Sequence, residues 1–195
     1  MPPGFEFTLK AWQLITHTAT SSTYRRLKTP LTASEASETG AFRPTDVVRR
    51  GWEKTLACAR LLHATAVLFQ CPASFRPTDE NVENLRGFFR EIGPTEGLRH
   101  LWEPRGDWEG SLVRNLCREL GLVHVVDPFR SACVWPEDFS YLRLHGVTGA
   151  RHVHTDAQLR QVMDALPPGG TSYVLFNNLP RFGDAKRFLA MLPGR

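Results

Sequence analysis

Runs of strand length alternate with segments of helical period along almost all of this chain, and no other feature restricts its fold as much. The expected strands are Phe5–Trp12, Thr65–Gln70, Leu98–Glu103, Leu122–Val126, Ser140–His145 and Ser172–Asn177. In the first, Phe5, Phe7 and Leu9 alternate with Glu6, Thr8 and Lys10. The second, TAVLFQ, is apolar on both faces, as in a sheet covered on both sides. A short helix is expected around Ser21–Leu27. Val48, Trp52, Leu56 and Ala59 form the stripe of a helix from Asp46 to about His63. Thr78 caps the next, with Val82, Leu85, Phe89 and Ile92 at helical spacing and Gly93-Pro94 as its stop. Another covers Glu109–Leu120 and ends at Gly121. Thr155 and Gln158 fit a capping box ahead of Leu159, Val162, Met163 and Leu166, and Asp184 is expected to cap the last helix.

Strands separated by helices pair in parallel, so the class is α/β and the chain is either an open doubly wound sheet or a (β/α) barrel. No GxGxxG or GxxxxGK[ST] follows a strand, which weighs against a nucleotide-binding open sheet. The stretch Lys28–Thr45, KTPLTASEASETGAFRPT, has almost no large apolar residue and reads as a long mobile loop. The link DPFRSACVWPEDF between the fourth and fifth strands reads as irregular rather than helical.

Composition bounds the rest. A chain of 195 residues is long enough for one sizeable core, so residues 1–195 are read as a single domain. The 24 Lys and Arg against 20 Asp and Glu leave +4, spread along the chain and without the concentrated stripe of a nucleic-acid protein. Cys58, Cys71, Cys117 and Cys133 follow no disulfide or zinc spacing, and Cys58 and Cys117 read as buried thiols. With neither a signal-peptide pattern nor an apolar run of about 20 residues, the expected location is cytoplasmic, with no membrane partner.

The informative residues stand where each strand ends. These are Lys10, Trp12, Thr16 and His17 for the first strand, Gln70 and Ser74 for the second, and Glu103 and Arg105 for the third. Asp127 follows the fourth, Arg143 and His145 close the fifth, and Asn177 the sixth. Parallel α/β folds bind ligands at the carboxyl ends of their strands. In SYLRLHG, Leu142 and Leu144 share one face while Tyr141, Arg143 and His145 share the other. An inward Arg143 needs a carboxylate, with Glu103 as first candidate, or an anionic ligand. Glu103, Asp127 and His145, with His17 nearby, also suit a divalent cation chemically, although no tight ligand spacing such as HExxH appears. His152-Val153-His154 reads as a solvated loop pair, and His100 and His124 as residues that pack or bond locally. Neither a metal site nor a GxSxG nucleophile elbow is assigned.

FEFTLKAWQLITH, LFQCPASF, LWEPRGDW, YLRLHG and YVLFNN, in that order, resemble the YecE-like family, a domain of unknown function, and most closely its archaeal-type branch. The resemblance implies a TIM-type β/α barrel with polar residues at its C-terminal mouth. Carried over position by position, the family's shared polar residues are Lys10, Thr16, His17, Gln70, Ser74, Glu103, Arg105, Arg143, His145 and Asn177. Family members carry a segment ahead of PPGFEF that holds the first strands of the barrel, whereas here Met1 stands almost at that point. Eight strands take about 250 residues. The expectation is therefore an incomplete, N-terminally truncated barrel with six of eight βα units, the first two missing.

The resemblance supplies a fold and a site but no reaction. The residues point to an anionic substrate held by Lys10, Arg105 and Arg143, with Gln70, Ser74 and Asn177 as further contacts, because guanidinium forks match phosphate oxygens. Glu103, Asp127, His17 and His145 are the candidates for general base or metal ligand, so phosphoester or phosphodiester hydrolysis is the concrete version. The alternatives are a non-catalytic module that holds nucleic acid or an acidic partner at the same mouth, or a fragment without independent activity.

Overall fold

A computed structural model describes residues 4–135 and 138–192. Their contacts divide the chain into two compact units, Met1–Leu122 and Val123–Arg195.

In the first unit, β1 (Thr8–Lys10), β2 (Ala66–Gln70) and β3 (Arg99–Glu103) pair in parallel, with Lys10 opposite Leu68 and Gln70 opposite Glu103. The first strand is shorter than its alternation suggests. Its partner begins at Ala66, opposite Thr8, so Phe5 is left half-exposed against Phe7. Beyond Lys10 the chain turns into α1 (Gln13–Thr16), and Trp12 is the cap of that helix rather than a strand residue.

The α3 helix (Asp46–Leu61) starts where the Thr45 hydroxyl accepts from the Val48 amide. It buries Val47, Val48, Gly51, Trp52, Thr55 and Ala59. Thr78 caps α4 (Asp79–Ile92) in the same way, and α5 (Gly110–Leu120) stops at Gly121, which is left-handed at φ 64°. Trp52, Phe69, Phe88, Phe89 and His100 pack as one aromatic cluster. Each buried phenylalanine is worth about 1.5–3 kcal/mol. Burial also pushes the His100 pKa down to about 4, as expected of a packed histidine.

The segment 28–45 is built rather than featureless. Thr32 and Glu35 form a reciprocal capping box at the head of α2 (Ala33–Glu38). The Gly40 and Phe42 amides donate to the carbonyls of Leu14 and Ile15, and Phe42 enters the aromatic cluster almost fully buried. The Arg43 guanidinium donates to the carbonyls of Ser37, Thr39 and Gly40. A single aromatic residue and one arginine organise what composition reads as a loop.

In the second unit, β4 (Val123–Val126), β5 (Phe139–Leu144) and β6 (Thr171–Phe176) pair in parallel, with Tyr141 opposite Tyr173 and Arg143 opposite Leu175. Leu142 and Leu144 pack with Leu159 and Val162 of α6 (Asp156–Asp164) and Phe188 of α7 (Arg181–Met191). The face assignment from SYLRLHG therefore holds. No helix lies in the described part of the link after β4, and residues 136–137 of that link, like Pro2-Pro3 of the opening motif, are outside the described residues.

Three expectations need correction. Cys58 is exposed on α3 because it falls off the apolar stripe, whereas Cys117 is fully buried. Asp184 does not cap α7: it lies one turn inside that helix and accepts from the His154 ring at 2.8 Å, the His154 amide at 3.1 Å and Asn178 at 2.6 Å. His154 is thus fully buried, not solvated, and it stacks on Phe129. Among the described residues none of the four cysteines is in a disulfide. Among the described residues no helix is long and apolar enough to cross a membrane.

Candidate functional site

Of the polar strand ends of the first unit, Lys10 and Arg105 bring their charges to His17. Lys10 ends β1, and six and seven residues later α1 and its C-cap deliver Thr16 and His17, which are 1% and 4% exposed. The His17 backbone is held from three sides. Its amide donates to the Gln13 carbonyl at 2.9 Å, and its carbonyl accepts from the Tyr24 hydroxyl at 2.8 Å. Gly40 sits so close that a Cβ there would overlap the His17 carbonyl. The ring accepts or donates at Nδ1 to Thr16 Oγ1, 2.7 Å away. Burial, then the charges of Lys10 and of Arg105, push the His17 pKa down to about 4, so the imidazole is neutral at physiological pH.

Glu103 closes β3 and is buried. Its Oε1 accepts from Arg105 Nε at 3.1 Å and Nη2 at 3.0 Å. Its carbonyl receives the Cys71 amide, which joins the loops after β2 and β3. Cys71 is sealed, takes the Trp102 indole N–H on its sulfur at 3.3 Å, and has its thiol pushed up to about 12, mainly by burial. It is a packing residue, not a nucleophile. Gln70 is half-buried at the end of β2. Ser74 is exposed in the following loop, and among the described residues its hydroxyl has no hydrogen-bond partner. Trp108 stacks on Phe75 and donates to its carbonyl, so this tryptophan covers the loops rather than lining an opening.

In the second unit the Asp127 carboxylate is committed to backbone. Oδ1 accepts from the Phe129 amide at 3.1 Å and Oδ2 from the His145 amide at 2.9 Å, with Arg130 Nε at 3.6 Å. It ties the end of β4 to the end of β5, the work of a turn-forming carboxylate. Arg143 is half-buried, and the Asn177 amide oxygen accepts from its Nε and Nη2 at 3.0 Å each. His145 is half-buried beside them in sequence. Among the described residues no group of three or more His, Cys, Asp or Glu is arranged to hold a metal ion.

Two concavities of about 390 and 350 Å³ lie away from these residues. The first is lined by Arg60, His63 and Leu98 at the opposite strand ends, and the second by Cys133, Leu142 and Leu166. Neither includes a residue expected to bind or react.

The sequence reading did not find the roles of Tyr24, Gly40 or the buried His154–Asp184–Asn178 cluster. Gly40 and Tyr24 act through backbone proximity, which leaves no periodic signal. The HxH spacing marked His154, but its carboxylate partner stands 30 residues away.

The model of the family described as "Protein of unknown function DUF72" matches residues 1–193. A crystal structure of a DUF72 family protein from Thermotoga maritima MSB8 superposes with a TM-score of 0.63 at 22% identity, covering 97% of this chain and 73% of that one. One from Enterococcus faecalis V583 gives 0.59 at 15% identity, covering 96% and 73%. A xylose isomerase domain containing protein from Salmonella typhimurium LT2 gives 0.50 at 15% identity, covering 76% and 68%. No curated protein matches the chain. At these identities the likeness establishes the fold, α/β of the TIM-barrel type, with six parallel strands and intervening helices among the described residues.

Proposed function

The chain belongs to the DUF72 family, and from that premise we propose that the carboxyl ends of the strands in its first unit form a site for an anion, with phosphate esters as the substrate class. The observation that carries this reading is that two cationic side chains act electrostatically on one buried imidazole. The charges of Lys10 and Arg105 both reach His17, although these residues come from the ends of different strands. Two cations so placed favour an anion beside the neutral ring, in addition to the Glu103 carboxylate that already holds Arg105. Arg143, aligned by Asn177 in the second unit, is a further guanidinium for the same chemistry.

In the finer version the protein hydrolyses a phosphoester or phosphodiester. Glu103 is then the general base and Arg105 the group that meets developing charge. Gln70 and Ser74 are further contacts. In the second unit, taken by itself, His145 is a candidate acid or base, and Asp127 serves by aligning the backbone amide of His145. The five ordered motifs support reading the protein as YecE-like and of the archaeal-type branch. The unbroken family match over residues 1–193 supports reading the chain as a single domain, and a cytoplasmic location is part of the same proposal.

The test is turnover of p-nitrophenyl phosphate and bis(p-nitrophenyl) phosphate, with and without added divalent cation, by the protein and by its Arg105→Met variant. Hydrolysis by the first and its loss in the second, with unchanged circular dichroism, is the expected result. Binding that weakens steeply with salt and forms no product moves the reading to a non-catalytic module for nucleic acid or an acidic partner. Equal behaviour of the two proteins on every ester overturns it.

A further inference from the structure

We infer that His17 is locked as a neutral imidazole whose one proton sits on Nε2, so that it serves the anion site as a hydrogen-bond donor and not as a general base. The inference deepens the anion reading and rests on it for the identity of the ligand. The tautomer itself follows from the geometry alone.

The argument begins at Thr16. Its side chain is buried, and a buried hydroxyl proton needs an acceptor, because leaving one unmade costs the full desolvation of the group. Among the described residues Thr16 Oγ1 has one hydrogen-bond partner, His17 Nδ1 at 2.7 Å. The hydroxyl therefore donates and Nδ1 accepts. A neutral imidazole carries one proton, so it is on Nε2. An imidazolium would carry a second proton on Nδ1. That proton would face the Thr16 oxygen and strand the hydroxyl's own hydrogen, with Lys10 and Arg105 repelling the added charge.

The backbone that carries the ring is held in place as well. The Gln13 carbonyl, the Tyr24 hydroxyl and the close approach of Gly40 fix the His17 backbone. The charged groups that reach the ring are the Lys10 ammonium at the end of β1 and the Arg105 guanidinium after β3. Both are donors without acceptor capacity. Adding His17 Nε2–H makes three donors of different shape, and Arg105 already spends two N–H groups on Glu103. Beside the Glu103 carboxylate that holds Arg105, these donors favour a ligand oxygen that accepts, such as that of an ionised phosphate or carboxylate. The tautomer also leaves Glu103, of the two candidate bases in the first unit, as the group able to take a proton.

The experiment is long-range proton–nitrogen NMR on protein labelled at histidine, with the His17 signals identified by their loss in His17→Gln. The expected spectrum has Nε2 protonated and Nδ1 bare, unchanged from pH 5 to 8 with or without inorganic phosphate. A His17 signal that titrates between pH 6 and 7, or one with the proton on Nδ1, overturns the inference. Binding then tests the donor role. His17→Gln, which retains an N–H, is expected to bind inorganic phosphate within about threefold of the parent, and His17→Leu roughly tenfold or more weakly. Parental affinity in His17→Leu overturns the donor role. If the parent has the expected tautomer and binds neither phosphate nor acetate, the anion reading fails while the tautomer stands.

Discussion

Thr16 and His17, adjacent in the chain, are joined side chain to side chain by a 2.7 Å hydrogen bond that is shielded from water. Thr16→Val keeps the shape and removes the proton that Nδ1 accepts. The expected cost is about 1–3 kcal/mol of stability, read from urea denaturation, with Thr16→Ser close to the parent. Equal midpoints for the Val and Ser variants would mean the hydroxyl is idle.

Gly40 has φ of +78°, and a Cβ there would overlap the His17 carbonyl and the Thr18 amide. Gly40→Ala is expected to lower stability by about 2 kcal/mol or more, combining a left-handed backbone with a backbone clash. Gly87, in α4, faces open space, so Gly87→Ala is the control and gains about 0.5–1 kcal/mol. Thermal unfolding distinguishes them, and a neutral Gly40→Ala would show that the 28–45 segment does not brace His17.

Acid sensitivity follows from three histidines. Burial is the main cause that lowers His17, His100 and His124 from 6.5 to about 4, joined at His17 by Lys10 and Arg105. The fold favours each neutral ring, so between pH 6.5 and 4 the unfolded chain holds more protons. Their contribution is complete above about 6.5 and is lost as pH falls toward 4, at about 1.4 kcal/mol per pH unit for each ring. Urea midpoints at pH 7, 6 and 5 measure it, and identical midpoints would contradict the assignment.

Asp184 holds the second unit's buried polar cluster. Burial raises its pKa, yet hydrogen bonds from the His154 ring and amide and from Asn178 outweigh that and keep the carboxyl below its usual value. Asp184→Ala leaves those donors buried without their acceptor, and a loss of about 3–5 kcal/mol is expected. Asp184→Asn, which retains one oxygen, should lose less. Denaturation of the two variants side by side decides it, and a mild Asp184→Ala would make the cluster ornamental.

What was legible in the chain and what was not divides along physical lines. Element type followed from period and caps: Thr78, Thr155 with Gln158, and Gly121 all act as their residue types suggest. The Leu142 and Leu144 face followed from alternation. The polar strand ends were legible as positions, but their duties were not. Asp127 looks the same in sequence whether it meets a ligand or two backbone amides. Phe42 was invisible because one buried ring in a polar stretch has no period, and Asp184 was misread because a capping residue and a buried acceptor for His154 share one chemistry.

The central claim is that Lys10 and Arg105 draw an anion to His17. Calorimetric titration of inorganic phosphate into the protein and into Lys10→Met and Arg105→Met tests it most directly. The account predicts one binding event, weakened roughly tenfold or more by either change while the fold is retained. Phosphate affinity that is the same in all three proteins would contradict it.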